Sequence, residues 1–225
     1  MYTTILFDAH NTLINFAEAE RESIRTVLNI IGFPNDNLID EFKKINSLLW
    51  KQVEMGQLSK SELETARFKL LLPYQTFTEN DYFIINYLYL KNLELHLNIS
   101  KQRASVCRAL SHKYNLIVIT NGTKKLINHI FSSDCNGIFS DIFDSADTGY
   151  SKPDIRYFDF VFSKSNIKNK SEVLLVGDSL SADITGGHNY GIDTCWYNPR
   201  RKVNCLSFEP TFEISEFKNL LSILY

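Results

Sequence analysis

The apolar positions of this chain change period along its length. Thr4-Ile5-Leu6-Phe7 is an unbroken apolar run that ends at Asp8, the pattern of a strand buried on both faces of a parallel sheet. From residue 17 the spacing becomes helical. Ile24, Val27, Leu28 and Ile31 lie on one face, and Gly32-Phe33-Pro34 stops the segment. Leu38, Phe42, Ile45, Leu48, Leu49 and Val53 form a second stripe that ends at Gly56. Ser59-Lys60-Ser61-Glu62 reads as a capping box that opens a third helix through about Leu72, with Pro73 ending it. Thr78 to Leu95 is a fourth helical segment. Beyond it, helices and strands alternate. Helices are predicted over about 101–113, 123–132 and 154–165, from Ala182 onward, and at the end of the chain to Leu224. Strands are predicted over 115–119, 141–145, 172–176 and 194–197, with a further one over 211–214. Alternation of this kind means βαβ units and a parallel sheet. The expected fold is α/β: a Rossmann-like parallel-sheet core domain over 1–15 and 96–225, with helices on both faces and an α-helical domain inserted over 16–95.

In parallel sheets ligands bind outside the carboxyl ends of the strands, so the residues just after each strand are the ones to inspect. The first strand ends in Asp8-Ala9-His10-Asn11-Thr12, and the second in Thr120-Asn121-Gly122. Lys152-Pro153 follows the third. The fourth ends in Gly177-Asp178-Ser179, with Asp183 five residues beyond Asp178. A carboxylate, a hydroxyl, a lysine and an acidic pair thus converge on one edge. Each has an ordinary use as well: Thr120 as a helix N-cap, Asp183 as a first-turn acid, a lone lysine as a solvated charge.

Composition narrows the function classes. Twenty-four Lys+Arg against 26 Asp+Glu give a net charge of -2 over 225 residues. That balance argues against a partner that is a nucleic acid polymer. Cys107, Cys135, Cys195 and Cys205 have neither C-x-x-C spacing nor a His cluster beside them, which points away from a zinc or redox motif and towards reduced thiols. The apolar runs are far shorter than a membrane span, and the chain enters its first strand with no positively charged leader. A cytoplasmic protein with no membrane partner, monomeric or homodimeric, is the default expectation. The nine glycines are uneven: Gly32 and Gly56 precede residue 120, and the other seven run from Gly122 to Gly191, where tight turns and close ligand approach are needed.

The order Asp8, Thr120, Lys152, Asp178 with Asp183 resembles the four motifs of the haloacid dehalogenase superfamily, and residues 16–95 sit where that family inserts a helical cap. Within it, the chain looks like the YjjG-like pyrimidine 5'-nucleotidase group in the cap strings Asn46-Ser-Leu-Leu-Trp50 and Arg67-Phe68, and in the stretches Asp147 to Pro153 and Gly177 to Ile184. The resemblance implies a Mg²⁺-dependent phosphatase acting on a small phosphorylated metabolite, a nucleoside monophosphate. Asp8 would be the nucleophile, Asp8 and Asp178 direct metal ligands together with the carbonyl of His10, and Asp183 a ligand through water or a support. Lys152 would counter the carboxylates and contact the transferring phosphoryl group. Thr120, with the N–H groups of Asn121 and Gly122, would bind phosphate. In the helical domain Trp50 and Phe68 would stack a base and Asn46 and Arg67 would hydrogen-bond one; an aromatic at helical spacing also serves packing. The cap is expected to close over the strand ends and exclude water.

One position departs from the pattern. Phosphatases of this family carry a second Asp two residues after the nucleophile, and here it is His10. Residues i and i+2 of an extended segment point the same way, so His10 lies beside Asp8. It can perform the same proton transfers; it can mark a catalytically impaired protein that binds phosphorylated ligands; it can be an engineered or sequencing change from Asp; or it can serve only packing or turn geometry. A haloacid dehalogenase is the remaining enzyme class. The acidic pair argues against it, because without a metal it would repel a carboxylate substrate.

Overall fold

A computed structural model describes residues 1–73, 76–133 and 135–225. The chain divides into two units: Met1–Asn15 with Asn98–Tyr225, and Phe16–Leu97. The second crossover falls two residues later than the expected 95/96 division, because the last helix of the insert runs to His96.

The first unit begins with β1 (Thr4–Asp8) and resumes with α5 (Lys101–Ser111), after the four helices of the insert: α1 (Phe16–Ile30), α2 (Asp36–Glu54), α3 (Lys60–Leu71) and α4 (Glu79–His96). It continues through β2 (Asn115–Thr120), α6 (Lys124–Ser133), β3 (Asp141–Asp144), α7 (Ser145–Thr148), α8 (Ile155–Lys164), β4 (Val173–Gly177), α9 (Thr185–Tyr190), β5 (Asp193–Tyr197), β6 (Phe212–Ile214) and α10 (Asn219–Leu224). The six strands form one sheet in the order β3-β2-β1-β4-β5-β6, every pair parallel. β1 and β4 lie side by side at its centre and are buried at every position, which is why they read as apolar runs without alternation. Tyr157, Phe158, Val161 and Phe162 of α8 pack on Leu6, Ile117, Ile119, Val173 and Leu175 of the sheet. Cys107, Cys135 and Cys195 are buried free thiols and Cys205 is an exposed one.

Two local details differ from the apolar pattern. The third strand ends at Asp144, one residue short of expectation, because the Asp144 carboxylate accepts the N–H groups of Ala146 and Asp147 and opens the short helix α7. The segment predicted to become helical at Ala182 instead starts with a wide π-type turn over Leu180–Ile184, capped by Ser179 Oγ, which accepts the Ala182 N–H at 3.1 Å. Such turns recur at functional sites, and this one carries Asp183.

In the helical unit, α1 packs on α4, α2 on α3, and α3 on α4. The Ser59/Glu62 capping box forms as read, and Thr78 with Asp81 makes a second at the start of α4. Phe42, Phe68 and Tyr89 meet at the centre with ring centroids 5.2–5.9 Å apart. No helix among the described residues is long and apolar enough to cross a membrane.

Candidate active site

The parallel register brings the carboxyl ends of β1, β2 and β4 together: Asp8 pairs with Ile119, and Phe7 with Val176 one residue before Gly177. Lys152, 1% exposed, lies among them. Its ammonium donates to Asp8 Oδ1 at 2.8 Å, to Asp183 Oδ1 at 2.7 Å and to the Ile119 carbonyl at 3.3 Å. Three protons meet three acceptors. The two carboxylates hold the Lys152 pKa well above the ordinary lysine range against the opposing effect of burial, so it stays a cation.

Asp8, 7% exposed, has its Oδ1 on Lys152 and its Oδ2 buried with no hydrogen-bond partner. An orphaned buried carboxylate oxygen is costly. Asp8, Asp178 and Asp183 each offer an oxygen within 4.8 Å of the others. Burial, then the charges of Asp8 and Asp183, push the Asp178 carboxyl up to about 8. Burial and Asp8 likewise raise Asp183, to about 6, although Lys152 and the Ser179 N–H at 3.1 Å pull it back. Three converging carboxylates, an all-oxygen donor set and an oxygen left without a partner fit a hard divalent cation of the magnesium class. Asp183 bonds Lys152 through one oxygen and Ser179 through the other, so it orients the cluster. Gly177 makes this possible: a Cβ there would lie 2.3 Å from Asp183 Cγ.

The second strand end is organised differently from expectation. The Thr120 hydroxyl oxygen accepts the Gly122 N–H at 3.0 Å, so that donor is used inside the turn and does not open an anion site. The next helix, α6, begins at Lys124, whose N–H is taken by Asp144 Oδ2 at 2.8 Å. The Asn121 side chain does a different job: its Oδ1 accepts the Lys152 N–H at 2.8 Å and its Nδ2 donates to the Lys152 carbonyl at 2.9 Å. It therefore fixes the backbone that carries the lysine. The Thr120 hydroxyl proton remains available to a ligand. The His10 ring lies on Gly122: a Cβ on that glycine would come within 2.1 Å of His10 Cε1. Glycine at 122 is thus a clearance for His10.

The base-binding expectation for the helical unit needs correction. Phe68 is 0% exposed and enclosed by Phe42 and Tyr89, so it is a packing residue. Asn46 Nδ2 donates to Glu20 Oε1 at 2.7 Å and its Oδ1 accepts from Arg67 Nη1 at 3.4 Å. Arg67, 4% exposed, also donates from Nε and Nη2 to Asn86 Oδ1, and its guanidinium lies 4.5 Å from the Tyr89 ring centroid. Asn46 and Arg67 are therefore engaged within their own unit. Trp50 is half-buried, with the Lys60 ammonium 5.7 Å from its ring centroid.

Sequence reading missed two supports of the site. Tyr157 passes as one more apolar position of α8, yet its hydroxyl accepts the Thr120 N–H at 3.0 Å and lies 2.9 Å from the Phe143 carbonyl it donates to. Trp196 of β5 donates its indole N–H to the Asp178 carbonyl at 3.1 Å. Neither bond has a local sequence signal, since each joins residues far apart in the chain.

Comparison with known proteins places the chain in a family. The family model for haloacid dehalogenase-like hydrolases matches residues 2–191. The chain belongs to that family. As a haloacid dehalogenase-like hydrolase it is 33% identical over 225 residues to the HAD-hydrolase YfnB of Bacillus subtilis, covering 99% of this chain and 95% of that protein. It is 29% identical, with the same coverage, to the pyrimidine 5'-nucleotidase PynA of Streptococcus pneumoniae. With the pyrimidine 5'-nucleotidase YjjG of Escherichia coli it shares 25% identity over 98% of this chain and 96% of the relative. The crystal structure of YfnB bound to magnesium superposes on the hydrolase with a TM-score of 0.89 at 32% identity, over 99% of this chain and 98% of that one. A 2-haloacid dehalogenase of Pseudomonas syringae reaches 0.73 at 22% identity, which shows a shared fold.

Proposed function

We propose that this hydrolase is a Mg²⁺-dependent phosphomonoesterase that acts on nucleoside 5'-monophosphates, pyrimidine ones included. The observation that carries the reading is Asp8 Oδ2, buried and without a partner between Asp178, Asp183 and Lys152. The substrate class draws support from the relatives PynA and YjjG, named as pyrimidine 5'-nucleotidases.

Asp8 attacks phosphorus, the bond to the nucleoside oxygen breaks, and an aspartyl-phosphate forms; water then attacks phosphorus and returns the carboxylate. Lys152 holds Asp8 Oδ1 and offsets the charge of the cluster. Asp8 and Asp178 would hold Mg²⁺, which would supply charge neutralisation for phosphoryl transfer. The Thr120 hydroxyl donates to a phosphate oxygen, while Asn121 and Tyr157 keep Lys152 and Thr120 in register. His10, two residues beyond Asp8, protonates the leaving alkoxide and afterwards takes the proton of the attacking water.

The test is phosphate release from a panel of nucleoside 5'-monophosphates, with Mg²⁺ or with chelator, by the wild type, His10→Asp and His10→Ala. The wild type should turn over in Mg²⁺ alone, and His10→Ala should lose about 10²–10⁴-fold. A gain of orders of magnitude in His10→Asp would remove His10 as an equivalent acid–base and favour an impaired enzyme. No release from any monophosphate by any of the three would overturn the reading.

A further inference from the structure

After β5 the chain turns through Asn198-Pro199-Arg200-Arg201-Lys202, a segment that none of the roles above uses. β5 lies beside β4 with Trp196 opposite Gly177. The turn therefore leaves the carboxyl edge of the sheet next to Asp178, and the Trp196–Asp178 bond ties the two strand ends together. Buried Asn198 builds the turn. Its N–H donates to the Ile214 carbonyl at 2.8 Å, and its own carbonyl accepts the Arg201 N–H at 3.1 Å. Its Oδ1 accepts the Lys202 N–H at 2.9 Å, and its Nδ2 donates to the Lys202 carbonyl at 2.9 Å and to Glu213 Oε1 at 2.7 Å.

Arg201 stands at φ 49°, in the left-handed region that glycine or asparagine occupies with less strain. A long cation is thus held on a strained, well-anchored backbone. Arg200, Arg201 and Lys202 are all exposed. None of these three forms a salt bridge among the described residues. Three adjacent carboxylates repel an incoming phosphate ester, whereas an unpaired cationic rim at the same edge attracts it.

We propose that the 199–202 turn is an anion-capture rim, which draws a small organic phosphate to the strand ends and holds it before phosphoryl transfer. The proposal rests on the phosphomonoesterase reading for its substrate. The rim acts on encounter and binding, so it favours substrates with a second anionic group.

The test compares the wild type with R200Q/R201N/K202Q, in which Asn at 201 keeps the left-handed backbone accessible. R108Q/K164Q/K168Q serves as control: it removes the same charge from exposed positions leading into β2 and β4, at the opposite edge of the sheet. Turnover of uridine 5'-monophosphate and uridine 3',5'-bisphosphate is measured from low to high salt. Binding of uridine 5'-monophosphate is measured calorimetrically with the same substitutions in a D8N background. The rim variant should lose about five- to tenfold in kcat/KM at low salt, through KM, with kcat within about twofold, and the loss should fade at high salt. The bisphosphate should suffer more than the monophosphate, and affinity in the D8N background should fall by a similar factor.

A rim variant that matches the control in kcat/KM, salt slope and affinity overturns the proposal, as does a loss confined to kcat. If the wild type releases no phosphate but the rim substitutions still weaken salt-sensitive binding, the rim stands and the phosphomonoesterase reading falls. If uridine 5'-monophosphate is neither hydrolysed nor bound, both fall.

Discussion

Among the described residues, the buried polar network of the helical unit and the buried polar cluster at the strand ends are finished differently. In the helical unit α1 gives Glu20, α2 Asn46, α3 Arg67, and α4 Asn86 and Tyr89, and these bond to one another. No buried side-chain atom of that network lacks a partner. At the strand ends Lys152 is equally well satisfied, but Asp8 Oδ2 is left over beside two further carboxylates. Burial of charge alone therefore does not distinguish a site from a structural network. The distinguishing mark is valence left open towards something the chain does not supply.

The difference can be broken most forcefully at Asp8. Asp8→Asn should abolish phosphate release while leaving the melting temperature unchanged or higher, because one of three mutually repelling carboxylates loses its charge. Retained turnover, or a collapse in stability, would erase the contrast. Arg67→Met should do the reverse. It leaves Glu20, whose carboxyl is already raised by burial, without its cation, at a cost of about 3–5 kcal/mol. At roughly 2–4 °C per kcal/mol for a chain of this size, thermal unfolding should fall by about 10 °C, with activity per folded molecule intact at low temperature.

The open cluster also has a pH signature. The Asp178 carboxyl rises from its ordinary value to about 8 on folding, so between about pH 4 and 8 the folded state binds the extra proton. Stability of the metal-free protein should then fall as pH rises through that window, since stability drops wherever the native state holds more protons. A divalent cation keeps the carboxylate ionised, so Mg²⁺ should raise the melting temperature more at pH 8 than at pH 6. An equal increment at both values would contradict the assignment of Asp178 to the metal. The smallest effect is expected at Gly122→Ala. The added methyl displaces the His10 ring, and kcat should fall about tenfold, a part of what general acid–base help is worth.

The sheet was legible because its central strands are buried on both faces and carry no polar alternation, and because Ser59 and Glu62 announce a helix start locally. The strand-end residues Asp8, Thr120 and Asp178 were legible for a related reason, since each stands at the end of an apolar run, whereas Lys152 lies eight residues beyond β3, after α7. What stayed hidden depends on partners distant in sequence. Asn121 was read for its backbone N–H, and the second task of its side-chain amide, clamping the Lys152 backbone 31 residues away, had no local signal. Arg67 and Asn46 looked like base contacts because a polar residue on an amphipathic helix shows its type and not its partners; here two other helices supply the partners of each. Phe68 at helical spacing proved to be packing, as spacing of that kind usually means. The turn at Asn198 gave no local sign that its cations would stand at the site edge, since that follows from the β4–β5 register.

The central claim is that Asp8 carries the phosphoryl group. Acid quench of the Mg²⁺-loaded protein during turnover of uridine 5'-monophosphate, followed by proteolysis and mass spectrometry, tests it most directly. The account predicts one phosphoryl group on the peptide that holds Asp8, absent with chelator and absent in Asp8→Asn. Phosphate release that continues in Asp8→Asn, or an adduct on any other residue, would contradict it.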